Sequence, residues 1–487
     1  MSKFNVASVK AALGRGPVRA EAVPSGRTYE GGAGFGHDTR SELFLLAVAN
    51  FVGTDTFYEK ASDRDRRFAA LVRRVAVEHP EWTARFLRWL RSDAHMRSAS
   101  LVGALEAAAA MRDAGIPGGR AIVASVLQRA DEPGEALAYW TSQYGRAVPK
   151  PVKRGVADAA ARLYTEKSLL KYDTESHGFR FADVLDLTHP APAADKSWQG
   201  ALFAFALERR HGRDTVPAAV LRTLVANAAL RSAAVDSPEV LLDAEALTRA
   251  GMTWEDALSM AGSTLDKARL WSALIPGMGY MALLRNLRNF DEAGVPDGVA
   301  AQVSARLADP AAVAVSRQFP FRFLAAYEQA PSLRWGVALD QALQLSLSGL
   351  PALPGRSLIL VDTSASMTST GFSRRSVMTP AKAAAVFGVA LAARGEKVDL
   401  YGFADGVFRH EVPKGASVIR EVDRFVARTG EVGHGTQIAT SIRRTLNGHD
   451  RVFVISDMQT FAAAPGSDVH QAVPRATPLY GFNLGGY

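Results

Sequence analysis

The sequence predicts two fold classes in one chain, an all-α array of helical repeats up to about residue 350 and a doubly wound α/β domain after it. Three observations carry this expectation. Apolar residues recur at three- and four-residue spacing through the first 350 positions, where alanine is abundant and period-two alternation is almost absent. A junction marked by proline and glycine, Leu350-Pro351-Ala352-Leu353-Pro354-Gly355, then breaks the pattern. Beyond it, short apolar runs alternate with helical stretches, as in a parallel sheet covered by helices on both faces.

In chain order, the helical periodicity predicts helices over 42–50, 64–78, 82–90, 99–110, 121–130, 152–163 and 220–230. Breakers separate them at Pro80, at Gly115-Ile116-Pro117-Gly118, and at Pro149, Pro190 and Pro192. Antiparallel helix pairs stacked like an α-solenoid fit this pattern, although no strict repeat period is present. After the junction, strands are expected over 357–361, 397–403, 451–455 and 478–483, with helices over 380–393, 417–428 and 436–447. The division is therefore a segment 1–30, a helical part 31–350 and an α/β domain 355–487.

Composition bounds the function. A chain of 487 residues is long enough for two or more domains, and 48% hydrophobic with 22% charged residues is ordinary for a globular protein. With no cysteine there is no disulfide framework, thiolate metal site or cysteine nucleophile. No apolar run approaches the ~18–20 residues that span a bilayer, and the start of the chain lacks the apolar core of a signal peptide. These features read as a cytoplasmic protein that does not engage membranes, expected to be a monomer. The net charge of +8 is compatible with nucleic-acid binding. It is spread evenly, +4 on each side of residue 350, so a nucleic-acid site must come from local arrangement.

The sharpest local feature is Asp362-Thr363-Ser364-Ala365-Ser366, directly after the apolar run Ser357-Leu358-Ile359-Leu360-Val361. In a doubly wound sheet, ligands bind at the carboxyl ends of strands. A carboxylate and two hydroxyls alternating over five residues there can turn three oxygens toward one hard cation. Two other segments supply oxygen donors: Thr436, within Gly433-His434-Gly435-Thr436, and Asp457, at the end of the strand 452–455. The set Asp362, Ser364, Ser366, Thr436 and Asp457 suits Mg²⁺ as cofactor. Helix capping also accounts for Asp362 and Ser364 taken alone, and a turn for Asp457. His434 reads as a loop residue rather than a ligand. The glycine-rich run Gly31-Gly32-Ala33-Gly34-Phe35-Gly36-His37 lacks a complete G-x-G-x-x-G register and reads as a lead-in to a helix.

In order and in context, the Asp-x-Ser-x-Ser run, the downstream threonine and the strand-end aspartate resemble the metal-ion-dependent adhesion site of von Willebrand factor A-type domains. That resemblance implies a cation with one position open to a partner's carboxylate, so adhesion rather than hydrolysis. The helical part carries a second resemblance. Its residues are Met252-Thr253-Trp254-Glu255, Trp271, the run Ile275-Pro276-Gly277-Met278-Gly279-Tyr280 continuing to Asn289, Phe319-Pro320-Phe321-Arg322, Pro149-Lys150-Pro151-Val152-Lys153-Arg154 and the stretch from Phe181 to His189-Pro190. Together with the closing Leu479-Tyr480-Gly481-Phe482-Asn483, they resemble the Ro autoantigen family, whose helical part is the TROVE module. The resemblance implies a HEAT-like ring of helical repeats closed by the A-type domain. It also implies binding of single-stranded 3′ ends of misfolded or decaying RNAs in the ring, of small structured Y-like RNAs outside it, and work with an exoribonuclease.

On a helical wheel of 281–290, Leu283, Leu284, Leu287 and Phe290 take one arc, with Arg285, Asn286, Arg288 and Asn289 read as opposing them. Arginine pairs with phosphate and stacks on bases, and asparagine reads base edges. A solvated helix face explains most such clusters, and on the residues alone it is the favoured reading; the family resemblance tips it toward RNA. Lys150, Lys153 and Arg154 share a face at a proline-started helix, where phosphate contact and an ordinary basic helix start are both open. The family resemblance adds His189, Lys171 and Arg322 as RNA-binding candidates, while Tyr172-Asp173-Thr174-Glu175-Ser176 is more acidic than its pattern. The expected function is a non-catalytic RNA holder. The alternative is a Mg²⁺-dependent scaffold gripping an acidic partner through the A-type domain. A nuclease or phosphatase is least supported, since no carboxylate cluster beyond Asp362 and Asp457 is apparent.

Overall fold

The structure, a computed structural model, describes residues 25–27, 33–34, 36–49, 60–174, 178–213, 216–217, 219–263, 265–330, 332–349, 352–368, 378–460 and 469–484. Much of Gly31–His37, the pair Glu175-Ser176, the junction residues Leu350 and Pro351, and the closing Gly485-Gly486-Tyr487 lie outside them. The described chain forms two compact units. One gathers Arg67–Gly279 with Glu292–Val299; the other gathers the described residues up to Arg66, Tyr280–Asp291 and those from Ala300 onward.

In the first unit, each helix turns one apolar stripe inward. Helix Pro80–Ser92 begins on a proline, which suits a first turn whose N–H groups lack intrahelical partners, and buries Phe86, Leu87 and Leu90. It packs against Arg97–Asp113, where Gly103 lets the backbone come close: a Cβ there would lie 2.7 Å from a Leu87 methyl. Helix Lys150–Leu163 rests on Gly119–Val126 through Gly155 in the same way. The helix expected over 121–130 stops at Val126, because Leu127 turns extended and Glu132 starts a new helix. Glu132 is wholly buried. Its carboxylate accepts from Arg91 at 2.8 Å, Arg97 at 3.0 Å and the Arg129 backbone N–H at 3.0 Å. In the other unit, near the N-terminus, strand β2 (Ala33–Gly34) pairs antiparallel with β1 (Gly26–Arg27), a short pair that helical periodicity did not anticipate.

In the second unit, helix Leu333–Ser346 docks on the α/β segment. The Asp340 carboxylate accepts from the Ser417 hydroxyl at 2.8 Å and the Ile419 N–H at 3.2 Å, and so caps helix Val418–Val426. Lys382 reaches Glu328 at 2.7 Å, tying helix Pro380–Arg394 to helix Pro320–Gln329.

The α/β segment carries strands β3 (Leu353–Asp362), β4 (Gly395–Phe403), β5 (Val407–His410), β6 (Arg451–Ser456) and β7 (Leu479–Asn483), in sheet order β5-β4-β3-β6-β7. β3 is central and parallel to β4 and β6, and β7 runs parallel to β6. The sheet is mixed rather than wholly parallel, because β5 returns antiparallel on β4 as an edge hairpin. That connection needs only a tight turn, Ala404-Asp405-Gly406, where a parallel return would need a crossover.

β3 shows why a near-continuous apolar run belongs in the centre. Its pleat sends Leu358 and Leu360 to one face, against Ile438 and Ile442 of helix Ile438–Thr445. Ile359 and Val361 alternate with them, and Val361 meets helix Pro380–Arg394 on the other face, at Gly388. A Cβ on Gly388 would lie 2.5 Å from a Val361 methyl. Replacing Gly388→Val overpacks this contact, which costs about 1–3 kcal/mol. Thermal unfolding should move down by several degrees, and an unchanged midpoint would show that helix and strand are not in register as described.

Candidate metal centre and nucleic-acid surfaces

The parallel strands bring their carboxyl ends to one edge, and the five oxygen residues gather there. Asp362 closes β3, and the Ser364 N–H donates to its Oδ1 at 2.8 Å. This is the turn-capping geometry that the residue types alone allowed, and it also turns Ser364 and Ser366 together, their hydroxyls 3.2 Å apart. Ser456, the last residue of β6, donates its hydroxyl to Asp362 Oδ2, while Asp457 follows directly. All five side chains are buried: Asp362 0%, Ser364 1%, Ser366 7%, Thr436 3% and Asp457 5% exposed.

Burial first, then the neighbouring Asp457 charge, push the Asp362 carboxyl up to about 7, against the hydrogen bonds from Ser456 and Ser364. The donors are all hard oxygens, three of them neutral hydroxyls, a set that suits a small divalent cation retaining waters better than a thiophilic one. On donor chemistry and burial the residues fit Mg²⁺.

The loop bearing Thr436 is held by a residue the sequence reading missed. Asp405, in the turn after β4, accepts the backbone N–H groups of His434 at 3.0 Å and Gly435 at 3.2 Å. Gly433 takes a left-handed φ of +92°, and a Cβ there would lie 2.1 Å from the same carboxylate oxygen. The His434 carbonyl then accepts from the Ala365 N–H at 3.1 Å, joining this loop to the Asp362 loop. His434 contributes backbone, and its side chain is exposed. Thr363 fixes the neighbouring strand end, donating N–H and hydroxyl to the Phe403 carbonyl at 2.9 and 3.0 Å. An aspartate directly after a strand-end apolar pair was a legible signal, but which loop it would hold was not.

The basic candidates divide between the two units. Lys150 and Arg154 are exposed and Lys153 half-buried on helix Lys150–Leu163. Lys171, exposed at the end of helix Glu166–Tyr172, places its ammonium 5.2 Å from the Tyr172 ring. His189 is exposed in a left-handed cap, φ 48°, after helix Phe181–Thr188. In the other unit, helix Tyr280–Glu292 buries Leu283, Leu284, Leu287 and Phe290 and exposes Arg285, Arg288 and Asn289. Arg322 is exposed beside Phe321, 5.6 Å from its ring.

Asn286 departs from the expected exposed arc. It is 2% exposed, its amide donating to the Ala282 carbonyl at 2.8 Å and accepting from Asn289 at 2.7 Å. The reason is angular: Asn286 lies four residues before Phe290, only 40° round the helix, and so falls inside the packed arc. Its polar atoms are satisfied within the helix, and it orients Asn289 rather than facing a ligand.

Comparison with known proteins accords with this architecture. The TROVE domain model matches residues 246–354, a span containing helix Tyr280–Glu292 and Arg322. The chain is 41% identical over 83 residues to Telomerase protein component 1 of Mus musculus, and 41% over 78 residues to that of Rattus norvegicus. These alignments take in 17% and 16% of this chain but only 3% of either relative's length. The fold is shared with the Deinococcus radiodurans RO (RSR) protein at a TM-score of 0.63 and 21% identity, over 92% of this chain and 93% of that one. A segment that matches the TROVE domain is thus set inside a helical-repeat and α/β fold held in common with the Deinococcus radiodurans protein.

Proposed function

We propose that this protein is a non-catalytic RNA holder that binds single-stranded 3′ ends of misfolded or decaying RNAs. The carrying observation is helix Tyr280–Glu292, inside the TROVE segment. Its buried leucines and Phe290 fix a face on which Arg285, Arg288 and Asn289 stand in solvent. Guanidiniums on a rigid helix present planar phosphate-binding forks from a fixed backbone, and they stack on unpaired bases. Arg322 adds a further cation in the same compact unit. Lys150, Lys153, Arg154, Lys171 and His189 offer a second surface for a small structured Y-like RNA, and a partner exoribonuclease would consume the RNA held. The C-terminal α/β domain is, on this reading, a von Willebrand factor A-type domain. It would hold Mg²⁺ through Asp362, Ser364, Ser366, Thr436 and Asp457. The ion would supply an open coordination position for a carboxylate of an acidic protein ligand. The buried oxygen set favours this docking role as a second activity of the same chain.

Two measurements test the reading. Arg285→Ala with Arg288→Ala should weaken binding of a single-stranded 3′-tailed RNA about tenfold or more. The slope of log affinity against log salt should become shallower by about 1.4, for two lost phosphate contacts. Equal affinity and slope in the variant would remove this helix from the RNA site. For the α/β domain, Mg²⁺ titration calorimetry should give one site per chain, abolished in Asp362→Ala. In Asp405→Ala it should be weakened about tenfold, although Asp405 is not a ligand, because the Thr436 loop loses its anchor. Magnesium binding that survives Asp362→Ala would overturn the assignment.

A further inference from the structure

Directly after the strand-end aspartate, Met458 holds a left-handed backbone, φ 64°. In that region Cβ crowds the neighbouring carbonyl, so glycine or asparagine normally fills it. A long side chain kept there is held by its surroundings, and such positions gather at functional sites.

The surroundings of Met458 are specific. Its N–H donates to the Ser456 hydroxyl oxygen at 3.0 Å, and its carbonyl accepts from the Thr460 N–H at 3.1 Å. The side chain is half-buried and packs on the core that contains Leu358, Leu360, Val452 and Val454. Gly481 of β7 stands opposite Val454 of β6, and a Cβ there would lie 3.0 Å from the Met458 methyl and 3.8 Å from its sulfur. The missing side chain at 481 leaves a seat on β7, and the thioether occupies it.

This turn meets three of the five oxygen residues. The Ser456 hydroxyl that accepts from Met458 is the one that donates to Asp362. Asp457 lies between Ser456 and Met458, and its Oδ1 accepts from the Gln459 N–H at 3.2 Å. The Thr460 hydroxyl donates to the Thr436 carbonyl at 3.0 Å. A shift of the turn at Met458 therefore reaches Asp457 directly, Asp362 through Ser456 and Thr436 through Thr460.

We infer that Met458 is a positioning residue for the metal centre: its side chain, seated on Gly481, holds the left-handed turn that sets Asp457 and ties the Asp362 and Thr436 loops to it. It acts through other residues and does not touch the ion. The inference rests on the metal reading above. It names a second anchor beside Asp405, which grips the Thr436 loop from the turn after β4.

The test is calorimetric Mg²⁺ titration of the full chain, together with hydrogen exchange of the metal-free protein. Met458→Ala should weaken Mg²⁺ about tenfold, as loss of support behind a metal ligand does. Without metal, the amides of Met458 and Thr460 should lose protection in this variant while those of β3 keep theirs. Met458→Leu refills the seat and should restore most of the affinity. Gly481→Val fills the seat from β7 and should reproduce the loss with Met458 still present. Combined with Met458→Ala it should add little, because both changes break one contact. Equal Mg²⁺ affinity in wild type and Met458→Ala would overturn the inference and leave the metal site standing. Unchanged protection at Met458 and Thr460 would overturn it whatever the metal does. A loss that Met458→Leu fails to rescue would also overturn it, since the seat on Gly481 would then not be what matters. Wild-type protein that takes up no Mg²⁺ would instead sink the metal reading, and this inference with it.

Discussion

A carboxylate removed from water must be met by hydrogen-bond donors or positive charge, and buried carboxylates sit at the main junctions of this molecule. Asp362 ends the central strand at zero exposure, with Ser456 and the Ser364 N–H as its partners. Glu132 starts a helix by gathering two arginines and a backbone N–H. Asp173 does the same for helix Phe181–Thr188, accepting from the Phe181 N–H at 2.9 Å and Arg180 at 3.0 Å. Leaving such a group unpaired costs about 3–5 kcal/mol, more than most single apolar contacts, so these points fix where elements stop and turn.

The carboxylates are not equivalent, and the difference separates scaffold from site. At the amino-terminal edge of the sheet, burial would raise the Asp399 carboxyl, but His449 at 2.9 Å and Arg356 at 2.9 Å more than offset this and hold it low. That charge is answered within the protein. At the opposite edge, Asp362 faces the Asp457 charge and the Ser456 hydroxyl, and burial pushes its carboxyl up instead. One end of the sheet thus carries an acid answered by His449 and Arg356, while at the other Asp362 faces a second acid and hydroxyls. The same contrast recurs on the helices, where Arg91 and Arg97 serve buried acids and Arg85 and Arg88 do not.

Geometry around Asp362 is supported at a distance. Asp405 never enters the oxygen set, yet it fixes the loop carrying Thr436 through two backbone N–H groups, and Gly433 is needed so that the chain can pass beside it. Asp340 and Glu328 connect helical elements to the α/β segment through Ser417 and Lys382. Accordingly, the α/β segment shares a compact unit with Tyr280–Asp291 and the helices after Ala300.

The sequence by itself determined the two fold classes and the place of the oxygen residues directly after an apolar strand run, because these follow from local pattern, whereas the central place of β3 came from the sheet order. A continuous apolar run ended by Asp-x-Ser-x-Ser reads the same in any environment. It also marked the faces of helix Tyr280–Glu292 apart from Asn286, whose burial turned on a 40° difference that a coarse division of the wheel blurs. What only the tertiary structure decided depends on contacts between residues far apart in the chain. Such are the antiparallel return of β5, the early stop of a helix at Val126 before Glu132, and the grip of Asp405 on a loop some thirty residues away. It also decided which arginines are consumed by buried acids and which remain in solvent, since an arginine's place in the sequence carries no trace of a partner distant in the chain.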